Sequence, residues 1–418
     1  MRWLLGLLVL SLLAAPAAGE WGAYGDDGFP LNVHGASTYP GPQPPGTGQV
    51  LEESPPVNQV GPATLYPYYP LLTAEVQRLA DEHPDLVKLH SAGKSVLGLD
   101  LWMLEIANFD EIEAGEGIPL EQREVVWVDG ATHSNEYSAA YFVLHLASFL
   151  TDGYGENETA TWIVDNRRTW IMPMVNPDGS HAFGRLNAHG VNINRNYPVD
   201  WGEVDESPVF NNPGPAPASE PETRINMDWF NETRPDYYAS VHCCGNLWLY
   251  PYGVEGWDPV DKEVFERVCD EAFPSVREDC GPIWSTIYPA SGSSVDTVYQ
   301  YTGAVGFGYE MSGRGAVALW GQPFTTEEVR EQEHESWQGL MHAFENVHLY
   351  GAFPAIQEAS MDDERIRITV ENQGYGNMTQ GEVHLAAADG SKFGVPLPAL
   401  APGERATVSL PAVEPGQA

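Results

Sequence analysis

Apolar positions follow two regimes along the chain. A long stretch alternates compact apolar blocks with amphipathic ones, and a C-terminal stretch alternates residue by residue. Thr73 to His83 has the period of a helix and is stopped by Pro84. Glu124-Val125-Val126-Trp127-Val128 reads as a buried strand and Tyr137 to Leu150 as an apolar helix. Trp170 to Val175, Tyr237 to Val241 and Gly306 to Tyr309 read as further strands. Thr325 and Glu328 form a capping box before a helix that runs towards Val347. Strands alternating with helices predict an α/β domain over 64–350, its sheet covered by helices on both faces.

From residue 355 the texture changes. Ile366, Ile368 and Val370 alternate with polar residues, Asn372-Gln373-Gly374 marks a turn, and Val383 with Leu385 and Val408 with Leu410 repeat the alternation. Residues 355–418 are expected to form a small all-β, sandwich-like module. Residues 20–63 are rich in Pro and Gly, as in Pro40-Gly41-Pro42-Gln43-Pro44-Pro45-Gly46, and read as a linker or draped arm. At the N-terminus, Met1-Arg2 precedes an apolar run from Trp3 to Leu13 and then Ala14-Ala15-Pro16-Ala17-Ala18-Gly19. Residues 1–19 therefore read as a signal peptide, which predicts a secreted chain, extracellular or periplasmic. The run is too short to span a bilayer, so no stable membrane insertion is expected.

Composition narrows the partners. The chain has 418 residues with 59 acidic against 20 basic side chains, a formal net charge of -39. Such a surface repels phosphate backbones and excludes nucleic acid as a partner. Cys269 and Cys280 are spaced to close a short surface loop in an oxidising compartment. Cys243 and Cys244 are adjacent; a bond between neighbours is strained, so they are expected as free thiols.

The candidate chemistry begins where the first strong strand ends, at Asp129-Gly130-Ala131-Thr132-His133-Ser134-Asn135-Glu136. His133 and Glu136 at i and i+3 share one face of a helical turn. At the end of a parallel strand they point into the crevice where α/β sheets place ligands. Val241-His242 ends another apolar strand and offers a third donor. Two His and one Glu with an open fourth position describe a catalytic zinc site.

Further motifs accompany these residues. They are Asn176-Pro177-Asp178-Gly179, Arg185, Gly190-Val191-Asn192-Ile193-Asn194-Arg195-Asn196, Leu249-Tyr250-Pro251-Tyr252-Gly253, Tyr288-Pro289-Ala290-Ser291-Gly292 and Tyr309-Glu310. In this order the chain resembles a zinc carboxypeptidase of the carboxypeptidase A type over roughly residues 64–348, which implies a mixed, mostly parallel sheet with helices on both faces. The resemblance implies one Zn2+ per chain held by His133, Glu136 and His242. It implies Glu310 as general base and Arg185 as the donor to the oxyanion. It implies Asn194, Arg195 and Tyr288 as the grip on a substrate's terminal carboxylate, and hence an exopeptidase acting on peptide or protein C-termini, expected as a monomer.

The resemblance also places Val295 at the base of the pocket for the departing side chain, with Leu249, Ile283, Ile287 and Ala290 at other pocket positions. An apolar base predicts preference for apolar or aromatic C-terminal residues. Gly253 and Gly308 are expected to leave that pocket roomy. Three positions depart from the A-type pattern: Asn135 stands between the first two ligands, Asn192 replaces an aspartate behind a ligand histidine, and Cys244 replaces a tyrosine. Two other readings compete: a zinc amidase on cell-wall peptides, and a zinc-binding scaffold without catalysis.

Overall fold

The computed structural model describes residues 9–14, 68–182, 184–204, 208–243, 245–311, 333–361, 365–386 and 392–411. The expected arm over 20–63, the capping box at Thr325 and Glu328, and the expected signal peptide apart from Val9–Ala14 lie outside these residues. The described residues divide between two compact units, one within 42–347 and one formed by 348–418 with Val9–Ala14. Among them, no helix is long and apolar enough to cross a membrane.

Strand β1 (Val9–Ala14) belongs to the second unit. The first unit is built on eight strands: β2 (Val87–Lys94), β3 (Asp100–Ile106), β4 (Glu124–Gly130), β5 (Arg167–Met172), β6 (Tyr237–Cys243), β7 (Leu247–Tyr250), β8 (Cys280–Pro282) and β9 (Val305–Met311). Their order across the sheet is β2-β3-β5-β4-β6-β9-β7-β8. The centre, β5-β4-β6-β9, is parallel, while β2, β3 and β7 join antiparallel. The sheet is thus mixed, with a parallel heart, as the family resemblance implies. Strands covered on both faces read as continuous apolar runs, and every residue of β6 is buried.

The helix Tyr137–Asp152 extends the predicted apolar helix by two residues at its C-terminal end. It is apolar nearly all round, as a helix covered on both sides must be. One cover is the helix His334–Asn346, whose Trp337 meets the rings of Phe142, His145 and Phe149 at 5.8, 5.2 and 5.2 Å. Its other side lies so close to β4 that a Cβ on Gly130 would stand 2.9 Å from the Ala139 carbonyl oxygen. Only glycine fits there. That close approach sets the helix start, and with it Glu136, at the carboxyl end of β4.

The second unit consists of two small antiparallel sheets. One joins β10 (Pro354–Met361), β11 (Arg365–Asn372) and β14 (Arg405–Pro411). The other joins β1, β12 (Gly381–Ala386) and β13 (Lys392–Leu397). Ile366, Ile368, Val370, Val383, Leu397 and Val408 share one buried cluster, so the alternation read from the sequence is the inward face.

Candidate metal centre and active site

The carboxyl ends of β4, β6 and β9 converge on one place. The chain leaves β4 through Ala131, held in the left-handed region at φ 50°, and reaches His133. The Glu136 backbone N–H donates to the His133 carbonyl at 2.9 Å, which closes a turn and sets both side chains on one face. His242 is the penultimate residue of β6, and Glu310 is its register partner on β9.

The three donors meet in a buried cluster. His133 Nδ1 lies 2.9 Å from Glu136 Oε1, and His242 Nδ1 lies 2.9 Å from Glu136 Oε2. The two Nδ1 atoms face one another at 3.2 Å. Donors bound tetrahedrally at the bond lengths usual for zinc stand roughly 3.3 Å apart. The cluster therefore has the spacing, and the nitrogen and oxygen donors, that suit a zinc ion. A second group, Glu82, His83 and Asp152, lies nearer the surface. There Glu82 is exposed and Arg78 pairs with both Glu82 and Asp152, whereas all three residues of the first group are buried.

Electrostatics follow from burial. Desolvation pushes His133 down to about 3, which keeps the imidazole neutral. Desolvation raises the Glu136 carboxyl, but the two imidazoles outweigh it and hold the group well below the carboxylate range. Burial pulls His242 down, and its hydrogen bond to Glu136 reverses this, leaving it raised. Glu310 is pushed up to about 7, by burial first and then by the charge of Glu136. A cation held by the triad draws that carboxyl back down.

Asn192 Oδ1 accepts from His133 Nε2 at 3.0 Å. Its amide nitrogen donates to the Phe210 carbonyl at 3.3 Å and to Asn211 Oδ1 at 3.1 Å, which fixes which end faces the histidine. Two acceptors at that end explain an amide here: a carboxylate would set oxygen against oxygen.

Of the other predicted residues, Arg185 and Asn194 reach the triad. Arg185 Nη1 reaches both Glu136 Oε1 and His133 Nδ1 at 3.0 Å. Asn194 and Arg195 lie in a 3₁₀ turn, Ile193–Arg195. The Asn194 Oδ1 accepts from the Ser294 backbone N–H at 3.0 Å, and Arg195 is buried with its Nη1 donating to the Asn194 carbonyl at 2.9 Å. Tyr288 is 44% exposed, its ring centre 6.0 Å from the Arg195 guanidinium carbon. Val295, Leu249, Ile283 and Ala290 belong to one buried apolar cluster, with the partly buried Ile287 packed against it.

The cysteines divide otherwise than expected. Cys269 and Cys280 are bonded to each other, as their spacing predicts. Cys243 is disulfide-bonded, which corrects the expectation of a free thiol. That expectation rested on strain, which makes a bond easier to reduce without forbidding it. Cys244 lies outside the described residues. Two residues near the site escape sequence reasoning, Asp129 and Ser240. Their signal is a polar side chain inside an otherwise apolar strand. Asp129 is fully buried and accepts from the Tyr238 hydroxyl at 2.7 Å and from the Ser240 hydroxyl at 3.0 Å. Burial pushes its carboxyl up to about 6 against the pull of those donors.

Comparison with known proteins agrees with this geometry. The family profile described as zinc carboxypeptidase matches residues 72–339. Carboxypeptidase A1 of Sus scrofa is 26% identical over 296 residues, covering 64% of this chain and 67% of its own length. Mast cell carboxypeptidase A of Mus musculus is 28% identical over 267 residues, covering 57% of this chain and 61% of its own. Among solved structures, the carboxypeptidase A of Helicoverpa armigera superposes with a TM-score of 0.55 at 24% identity, over 67% of this chain and 73% of that one. Thrombin activatable fibrinolysis inhibitor superposes with a TM-score of 0.58 at 20% identity, over 67% and 74%. At these identities the structures establish the shared fold.

Proposed function

The chain belongs to the zinc carboxypeptidase family, and on that premise we propose that it is a zinc-dependent exopeptidase removing single residues from free peptide C-termini. The observation that carries the proposal is the convergence of His133, Glu136 and His242 within one hydrogen-bond length of each other, beside Glu310. Zinc in such a site supplies Lewis acidity and a lowered pKa for water at its open position.

The side chains supply the rest. The Glu310 carboxylate takes a proton from the attacking water and delivers it to the leaving nitrogen as the C–N bond breaks. The Arg185 guanidinium donates to the carbonyl oxygen as it gains charge, an interaction whose loss typically costs about 2.7–4 kcal/mol of barrier. Arg195 forks onto the terminal carboxylate of the substrate, Asn194 donates beside it, and Tyr288 closes over the pair. These contacts require a free C-terminus, which limits cleavage to the last bond.

Val295 closes the pocket for the departing side chain. With Leu249, Ile283, Ile287 and Ala290 around it, it favours apolar or aromatic residues. We further propose that residues 64–350 form the catalytic domain, that 355–418 act as a packing or surface-attachment module, and that 1–19 direct secretion of a monomer.

A panel of blocked dipeptides and longer peptides ending in Phe, Leu, Arg, Lys or Glu tests this reading, with and without a zinc chelator. Chelator-sensitive release of Phe and Leu is the expected result. Release of Arg or Glu instead would keep the enzyme and reject the apolar pocket. Zinc bound without any release would favour the scaffold, or an amidase acting on another bond.

A further inference from the structure

We propose that Ser240 and Asp129 act together as positioning residues for His242, forming a hydroxyl-bridged carboxylate support behind that ligand. The proposal rests on the zinc reading above and concerns groups that touch neither metal nor substrate.

The geometry follows from strand periodicity. Tyr238, Ser240 and His242 alternate along β6, so their side chains share one face. Asp129 on β4 is the register partner of Ser240 on the adjacent parallel strand. Ser240 Oγ lies 3.2 Å from His242 Nε2 and 3.0 Å from Asp129 Oδ1, and the Tyr238 hydroxyl holds the other carboxylate oxygen at 2.7 Å. Asp129, Tyr238 and Ser240 are fully buried.

The Ser240 hydroxyl donates to Asp129 Oδ1, which leaves Ser240 Oγ to accept from the histidine. His242 Nε2 has one other close neighbour among the described residues, Asn194 Nδ2 at 3.4 Å. The Asn194 Oδ1 is engaged by the Ser294 N–H, so its amide presents only donors to the imidazole. In the tautomer the proposal requires, Nε2–H donates to Ser240 Oγ, and the Ser240 hydroxyl donates on to Asp129. A metal taking the place of the Nδ1 proton that faces Glu136 would then meet the Nδ1 lone pair. Fixing a tautomer through its outer nitrogen is what partners behind a metal-bound histidine do.

The two ligand histidines are supported unequally. The outer partner of His133 is a neutral amide, fixed by its own donors. The outer partner of His242 leads to a carboxylate. Negative charge behind the centre thus enters from the β4–β6 side, through a hydroxyl.

The test uses the full chain with Ser240→Ala, which removes the bridge at little cost in volume, and Asp129→Asn, which keeps shape and removes charge. Zinc affinity is measured by competition with a chromogenic chelator, and the visible absorption bands of the cobalt-substituted protein report ligand orientation. Metal-free melting curves check folding. The expected result is zinc affinity lowered roughly 10–100-fold in both variants, with shifted cobalt bands and little change in metal-free melting. Affinity within twofold of the parent and unmoved bands in folded Ser240→Ala protein would overturn the proposal, whatever Asp129→Asn does. A parent chain that binds no stoichiometric zinc would instead overturn the reading beneath it.

Discussion

Glu310 and His242 are register partners on adjacent parallel strands, so a carboxylate and a metal ligand leave the sheet side by side. The backbone ladder sets their separation, and no loop needs to order to bring them together. Glu310→Gln preserves shape and hydrogen-bonding capacity but cannot take a proton. Turnover is expected to fall about 10²–10⁴-fold while bound zinc stays at one per chain. Steady-state rates beside metal analysis of the same sample check this, and a variant retaining a tenth of parental turnover would remove Glu310 from the base role.

Arg185 lies within hydrogen-bond reach of the donor cluster and is still partly open to solvent. Arg185→Ala is expected to lower kcat about 10²–10³-fold, with a smaller change in KM, because the charge it meets develops only during reaction. Equal loss from both parameters' ratio through KM alone would make it a substrate-binding residue instead.

Pocket width is the third test. A Cβ built on Gly308 would sit 3.7 Å from Leu249 Cβ and 3.8 Å from Val295 Cγ2, an ordinary contact. Gly308→Ala should therefore fold normally and narrow the space between those two walls. The ratio of kcat/KM for Phe over Leu is expected to fall about tenfold or more, the scale on which apolar pockets discriminate. An unchanged ratio would show that this wall does not meet the departing side chain.

Asp296, next to Val295, is fully buried and accepts from the Gly253 N–H at 2.9 Å. Burial, then the nearby charge of Asp200, pushes it up to about 7, with Arg195 pulling the other way. Its folded value lies above the unfolded one, so the folded state binds the proton more tightly between about pH 4 and 7. The stability this contributes is full below that window and is lost as pH rises through 7. Melting of Asp296→Asn and parent from pH 4 to 8 should show the variant gaining on the parent as pH rises. A constant offset would place the pH dependence elsewhere.

The parts legible in the sequence were those written in local pattern. Val125 to Val128 announced a buried strand because such strands carry no polar face, and His133 and Glu136 announced themselves by following it at helical spacing. The hairpin of β2 and β3 was missed because its residues alternate burial irregularly. Strands β7 and β8 have four and three residues, too few to show a period. The bonded state of Cys243 and the pairing of Ser240 with Asp129 depend on where strands lie in space. Asp129 and Ser240 were visible as polar interruptions, but a lone polar residue in an apolar run does not name its partner.

Asn192 Oδ1 accepts from the backbone N–H of Asn194 at 3.0 Å as well as from His133. One oxygen atom thus ties a metal ligand to the turn that carries Asn194 and Arg195. If the carboxylate grip and the metal centre act as proposed, that oxygen is the fixed end of a ruler. The span from chain end to cut bond becomes a property of the backbone, and it keeps the enzyme counting one residue at a time whatever side chain is presented.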